Sequence, residues 1–543
     1  MELATSDVGA ISLTPFSDDD SFVLAVDLGT SGCKTALIDM QGNLLAWEFE
    51  EVPLKVLPGG GAEQNPDHWW SGLVASTQRI WTAHPRAAER VFAVCISSQG
   101  EGTVAVDRAG RVLAPAILSM DMRGGPIIRK HVRGWLNIAG YDVARLPRWI
   151  RLTGGAPALS GKDPAAHMLF IRETMPDVYR QTDKFLNVLD YMNYRLTGRL
   201  VATADSILTS WVTDNRRPDR IRYDATLLSR SGIDPNKFPE IVSCTDVLGP
   251  LTPEAARELG LPRTTPVVAG AIDTTAAAIG SGAIGDGQAH LYIGTSSWLA
   301  AHIPFKKTDI FSSIASVPCA VPDRYLMIAL QTTAGGNLSY LKNNILYHQD
   351  ELLKESSAPD IYKVLDQIAQ RVPAGSRGLL YLPWLYGERT PVDDAHLRAG
   401  LFGLSLEHTR EDVIRAFYEG VALNTRWMLP AVTKFLDRPL DKLRLIGGGA
   451  LSSVWCQIFA DVLDVPIQPT AQPQQANALG AWGMAVFGMK RLSFEEVAKR
   501  IAVGTTFDPT PSRRTLYDER FRTFLELHRR LKPIYHRAAK ATL

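Results

Sequence analysis

Apolar residues along this chain gather in short β-rich runs that end at glycine turns, with helical stripes between them. Phe22 to Val26 is one such run. It stops at "DLGTSGCK", and "TALIDMQGNLLAWEF" then predicts a hairpin turning at Gln41-Gly42-Asn43. "QNPDHWWSGLVASTQRIW" carries helix-start chemistry, with Asn65 as N-cap, Pro66 at the first position and Asp67 in the first turn. Trp70, Leu73, Val74, Thr77, Ile80 and Trp81 share one face of that helix and are assigned to core. "VFAVCISSQGEGTVAVDRAGRVL" reads as strand, loop and hairpin, and "RQTDKFLNVLDYMNYRLTGR" as a helix closed by Gly198. In "HTREDVIRAFYEGVALNTRWM", Thr409 and Asp412 have capping-box spacing ahead of a Val413, Phe417, Val421 stripe. "LRLIGGGALSSVWCQIFADVL" predicts a strand, a triple-glycine turn and a helix. The basic, amphipathic segment after Thr510 predicts a solvated helix.

Such alternation of strands and helices marks an α/β protein. "AHLYIGTSSWLAAHI" repeats the strand, Gly-Thr-Ser turn and strand of "VLAVDLGTSGCKTALI" roughly 265 residues later, as expected of a duplicated domain. Two α/β lobes are therefore expected, with a cleft between them as the default ligand site. The length of 543 residues agrees with two large domains.

Composition narrows the function. Charged residues make up 21% and hydrophobic residues 45%, with a net charge of +1, so no whole-molecule field draws the protein to nucleic acid or an acidic membrane. The five cysteines are scattered without a CxxC pair, which argues against a disulfide framework or a zinc site and for a reducing cytosol. No apolar run approaches the ~20 residues of a membrane span. "MELATSDVGAISLTPFSDDD" lacks the basic and continuous apolar regions of a signal peptide. A cytoplasmic location is expected.

The glycine turns carry the candidate chemistry. "DLGTSGCK" offers Asp27, two glycines, the hydroxyls of Thr30 and Ser31, and Lys34. Consecutive amides in such a turn form an anion nest, and Asp27 at a strand end suits Mg²⁺ held through water. A tight hairpin satisfying its own backbone explains the same residues. "IGTSSW" repeats Gly-Thr-Ser without the acid, so two nests could clamp a polyphosphate. "LIGGGALSS" and "QTTAGGNLSYL" add two further flexible turns. None matches GxxxxGK[ST] or G-x-G-x-x-G. "VVAGAIDTTAAAIGSG" places a single carboxylate, Asp273, between an apolar strand and a Gly- and Ala-rich helix.

Taken in order, these segments resemble the FGGY carbohydrate kinases of the actin, Hsp70 and hexokinase ATPase superfamily, from about Phe22 to Gly488. "DLGTSGCKTALID" is similar to the first phosphate motif and "YIGTSSWLA" to the second. "GAIDTTAAAIGSG" resembles the catalytic-aspartate segment, and "LIGGGALSSVWCQIFADVL" the adenosine motif, with "NALGAWGMAVFG" as the helix behind it. "AILSMDMR" and "DYMNYRLTG" fit two further segments. The resemblance implies actin-like (ribonuclease H-like) lobes, ATP and Mg²⁺, and phosphoryl transfer to a small sugar or polyol. It divides the chain into a tail (1–20), an N-terminal sugar-binding lobe (21–281), a C-terminal nucleotide-binding lobe (282–510) and a helical tail (511–543). A homodimer is one oligomeric option. Asp27, Gly29, Thr30, Gly294, Thr295 and Ser296 would meet the phosphates or metal. Gly335, Gly448, Gly449 and Ser453 would border the nucleotide. Asp273 would be the catalytic base and part of the acceptor site.

The acceptor site is expected in "SSQGEGTVAVD" and "SMDMR", through Gln99, Glu101 and Asp121. Xylulose kinases typically carry Met-His after the equivalent of Gln99, and glycerol kinases Arg-Glu; here the pair is Gly100-Glu101. Ser119 stands where the family often has tryptophan, which implies a wider pocket. A turn-capping Glu101 and an Asp121–Arg123 pair are the structural alternatives. "YGERTPVDD" receives only a structural role. A ketopentose such as xylulose is the first choice of substrate, followed by a polyol (glycerol, erythritol or a pentitol). An actin- or Hsp70-like switch ATPase is the reading outside metabolism.

Overall fold

The computed structural model describes residues 21–346 and 360–541, so the expected tail 1–20 lies outside the described residues. The chain divides into two compact units. In the first, β1 (Phe22–Leu28), β2 (Gly32–Asp39) and β3 (Leu44–Glu51) form an antiparallel meander, and β4 (Val91–Ser98) runs parallel to β1. β5 (Val247–Pro250) and β6 (Pro266–Ile272) complete a six-stranded sheet in the order β5-β6-β4-β1-β2-β3. Helix α1 (Pro66–Ala83) begins where expected, with the Asn65 side chain accepting from Asp67 N. Both Trp69 and Trp70 are buried there, so the apolar stripe is wider than the sequence pattern suggested.

Helix α2 (Val188–Thr197) ends at a left-handed Gly198, as expected. The single helix read over "RQTDKFLNVLDYMNYRLTGR" needs correction, however. Lys184–Leu186 is a strand paired with Val104–Val106, because the Asn187/Asp190 capping box starts the helix only at Val188.

β6 leads into α3 (Asp273–Gly280) through a bulge. Val268 and Ala271 pair with Cys95 and Ser97 of β4, leaving one extra residue on β6. Gly270 takes φ +74°, and a Cβ there would lie 1.9 Å from Ile96 O, so only glycine fits. The displaced amides bond to neighbouring loop carbonyls instead, Ala269 N to Asp246 O and Gly270 N to Cys244 O, each at 2.9 Å.

The second unit repeats the plan. β7 (Ala289–Ile293) and β8 (Ser297–Ile303) form the hairpin, β9 (Thr308–Asp309), β10 (Ile314–Pro318) and β11 (Tyr325–Gln331) extend it, and β12 (Leu443–Ile446) and β13 (Ile467–Pro469) run parallel to β7 and to each other. The order is β9-β10-β11-β8-β7-β12-β13. Three antiparallel strands followed by two parallel ones therefore occur in both sheets, as the recurrence of the Gly-Thr-Ser hairpin implied. Helices α4 (Gly335–Asn344), α5 (Arg410–Leu436) and α6 (Ser453–Leu463) belong to this unit, α5 opening with the expected Thr409/Asp412 capping box.

Two features differ from the expected layout. Residues 477–500, with 318–323, pack in the first unit, whereas the family resemblance implies one lobe over 282–510. Within this return, α7 (Ala476–Gly488) buries Ala478, Ala481, Trp482 and Ala485 completely. At Gly480 a Cβ would lie 1.9 Å from Ala276 O, so α7 and α3 meet backbone to backbone. The C-terminal helix α8 (Arg514–Ala541) is not solvated: Tyr517 and Phe524 are fully buried in the second unit's core. Phe521, Leu531 and Tyr535 continue that stripe at helical spacing, with the ring of Trp384 edge-on to Phe524 at 5.3 Å.

Candidate active site

On the first unit, β1 delivers Asp27 to the Gly29–Ser31 turn. The Asp27 carboxylate accepts from Asn477 Nδ2 at 3.1 Å and lies 3.8 Å from Lys34 Nζ. Gly29 N donates to Gly32 O at 2.9 Å, closing the turn, and a Cβ at Gly29 would meet nothing nearer than 3.8 Å. Thr30 Oγ1 donates to Gln99 Oε1 at 2.8 Å. Gln99 Nε2 donates in turn to Gln64 Oε1 at 3.0 Å, which also accepts from Trp69 Nε1, while Gln64 Nε2 donates to Thr30 O at 2.8 Å. Gln99 is buried, and its amide braces the Gly29–Ser31 turn. Gln64 and Asn477 hold the candidate residues Thr30, Gln99 and Asp27 in place, and the sequence pattern does not single them out.

The β6 bulge aims Asp273 from the first residue of α3. Its Oδ1 accepts from Thr274 N at 2.7 Å. Burial pushes this carboxyl up to about 7 against the pull of the Thr274 amide, and the charges of Asp27, Glu101 and Asp205 add to the rise. Asp205, fully buried, accepts from Ile272 N at 3.0 Å and from Thr203 Oγ1 at 2.6 Å. It thereby fixes the backbone immediately before Asp273.

The acceptor candidates divide. Glu101 sits in the left-handed region at φ +61° and stays partly exposed. Its charge raises both Asp273 and the buried Asp163, which burial pushes up to about 7. A Cβ at Gly100 would make only ordinary contact, 3.5 Å from Ile272 Cδ1, so the position has room for a side chain it lacks. Asp121 is 1% exposed and accepts from Ala62 N, Arg123 N and the Arg123 guanidinium, whose Nη2 also reaches Glu63 Oε1 at 2.7 Å. These contacts form the Asp121–Arg123 pair that stood as the structural alternative.

On the second unit, the Gly294–Ser296 turn joins β7 to β8, with Gly294 N donating to Ser296 O at 2.9 Å. Thr295 is exposed. The entry to α4 locks onto this turn: Gly335 N donates to Gly294 O at 2.8 Å, and Gly336 N to Thr295 O at 3.0 Å. A Cβ at Gly335 would lie 2.5 Å from Gly294 O. Glu388, from "YGERTPVDD", supports the approach to α4. It is buried, accepts from Thr332 N and Arg389 N, takes a hydrogen bond from Asn424, and is pushed up to about 7 by burial. In the triple-glycine turn, Gly447 and Gly449 press on Ile293, whereas a Cβ at Gly448 would reach only Gln474 Nε2 at 4.0 Å. Gly448 is exposed, as is Ser453 at the start of α6. The helix cap is Ser452, which accepts from Trp455 N and donates to Asp366.

The FGGY family of carbohydrate kinases matches through its N-terminal domain over residues 22–280 and its C-terminal domain over residues 289–489. The chain belongs to the FGGY family of carbohydrate kinases. It is 28% identical to a gluconokinase of Bacillus subtilis, over 90% of this chain and 92% of the relative. To a xylulose kinase of Escherichia coli it is 27% identical, over 94% and 99% of the two chains. Among solved structures, the xylulose kinase of Rhodospirillum rubrum aligns with a TM-score of 0.80 and 27% identity, covering 95% of this chain and all of that one. A gluconate kinase from Lactobacillus acidophilus gives 0.81 at 23% identity and supports the fold alone. The two domains thus have the actin-like ATPase fold, and the chain is a carbohydrate kinase of a family that uses ATP.

Proposed function

We propose that this kinase transfers the terminal phosphoryl group of ATP to a hydroxyl of a small uncharged sugar of the ketopentose type, xylulose first, with Asp273 as base. The observation that carries this reading is the raised carboxyl of Asp273 on a glycine-forced bulge beside Glu101. A base poised near the working pH orients an alcohol and takes its proton late, as the bond to phosphorus forms. Ionisation of the alcohol beforehand is out of reach for a carboxylate. Gln99 and Gln64 hold the Thr30 turn, and Glu101 offers acceptor oxygens to substrate hydroxyls. The open backbone at Gly448 and the Gly294–Ser296 turn suit nucleotide and phosphates.

Among the described residues, no cluster of three or more His, Cys, Asp or Glu could hold a metal unaided. Asp27 suits Mg²⁺ that keeps its waters and shares phosphate oxygens, an arrangement needing only one or two carboxylates. The ion would supply charge neutralisation on the phosphoryl group.

An uncharged acceptor is favoured over an aldonate by the charge around Asp273. Asp27, Glu101 and Asp205 together disfavour added negative charge there, and the Arg123 guanidinium is committed to Asp121 and Glu63. Relatives named xylulose kinase point the same way, while the Bacillus subtilis gluconokinase keeps gluconate as the second reading. The partial match of Gly100-Glu101 to glycerol kinases retains polyols in the panel. ADP release over ketoses, polyols and gluconate tests this. Xylulose should stimulate release most, and Asp273→Asn should fold and bind ATP yet lose transfer by about 10²–10⁴-fold. Near-normal turnover in that variant would refute the base assignment, and a preference for gluconate would replace the substrate.

A further inference from the structure

We propose that a groove of about 660 Å³ on the first unit, between the β5 edge and the end of α7, is an effector site for a small phosphate monoester. A groove of that size has ample room for a sugar phosphate. The effector role rests on the reading of Asp273 and Asp27 given above; binding itself does not.

The lining pairs an apolar floor with two cations. Val247, Phe487 and Leu492 form the floor, and the exposed Lys490 and Arg491 stand beside it. Neither cation has an ion-pair partner among the described residues. The two acids of the groove already accept hydrogen bonds from their own loops. Asp246 Oδ2 accepts from Ser243 N at 2.9 Å, and Glu496 Oε2 from Ser493 N at 2.8 Å and Ser493 Oγ at 3.0 Å. Adjacent Lys and Arg side chains with their donors free bind a dianionic phosphate by charge-assisted hydrogen bonds. The apolar floor accommodates the carbon body of the ester.

Two backbone routes join this groove to the catalytic carboxylates. The lining loop at Thr245–Val247 includes Asp246, whose carbonyl, with that of Cys244, holds the β6 bulge three and four residues before Asp273. Helix α7 ends in the groove at Gly488, where a Cβ would lie 2.4 Å from Thr245 O, and its other end presents Asn477 to Asp27. Midway, Gly480 abuts the first turn of α3 at Ala276. A ligand that draws Lys490 and Arg491 inward therefore bears on both carboxylates through rigid elements.

Isothermal titration calorimetry with ribose 5-phosphate as probe tests the site on the full chain. Binding should persist in Asp273→Asn, so that loss of the kinase reading would leave it intact. It should weaken by about ten-fold or more in Lys490→Asn/Arg491→Gln, while free ribose gives no heat at this site. Asparagine suits the left-handed backbone of Lys490 (φ +57°), so the double variant should keep its fold and its basal turnover. Affinity unchanged in that variant, or no binding of ribose 5-phosphate up to about 10 mM, would overturn the proposal. Amide hydrogen exchange over 268–273 should slow when the probe is bound; unaltered exchange there at saturation would overturn the effector role.

Discussion

Asp273 shows how far one residue's chemistry is set by its neighbours. Its carboxyl is raised by burial and by Asp27, Glu101 and Asp205, and only the ionised form can accept a proton. Activity should thus rise with pH through about 7 and then level, measured as kcat/KM at saturating ATP. Glu101→Gln removes a like charge, so the midpoint of that limb should move to lower pH even as the acceptor KM rises. A midpoint that stays or moves upward would place Glu101 outside the field of Asp273. Asp273 stands out in the sequence as a candidate because a lone acid between apolar strand and small-residue helix is costly to bury. Gln64 and Asn477 were hidden for the opposite reason. An amide beside an N-cap or at the start of an Ala-rich helix has many structural uses, and only its partners, Gln99 and Asp27, reveal this one.

At the scale of elements, the hairpins and capped helices followed local pattern closely, since capping boxes and glycine turns are short-range chemistry. The bulge in β6 did not, because an apolar run such as "PVVAGAI" gives no sign of an extra residue until its partner strand is known. Gly270→Ala tests how firmly the bulge is required. The left-handed backbone and the approach of Ile96 O together predict a loss of about 3 kcal/mol or more in denaturant unfolding, with turnover falling in whatever protein remains folded. Helix α8 was misjudged because a basic amphipathic stripe shows one apolar face without showing that a core awaits it. Phe524→Ala should cost about 3–5 kcal/mol, read as a drop in Tm of the second unit. A change near zero would restore the solvated-helix reading.

For the molecule as a whole, the duplication was legible in the recurrence of Gly-Thr-Ser between two strands, and both sheets carry it. The return of 477–500 to the first unit was not, since periodicity tells which face of a helix is apolar and not which core receives it. A fragment of residues 21–280 should consequently be unstable alone and gain cooperative unfolding once 477–500 is fused to it, as circular dichroism melts would show. Equal stability of the two fragments would mean the returning segment is an accessory.

The returning helix also fixes an order of events in the cell. Asp27 and the Asn477 that steadies it are 450 residues apart in the chain. At a synthesis rate of ~15 residues per second, about half a minute separates their emergence from the ribosome. During that interval the nascent first unit carries an unfilled apolar seat for α7, a natural point for chaperone attention. A polypeptide released early, short of Asn477, lacks the amide that donates to Asp27. About nine-tenths of the chain must therefore be synthesised before the Asp27 carboxylate gains its Asn477 partner.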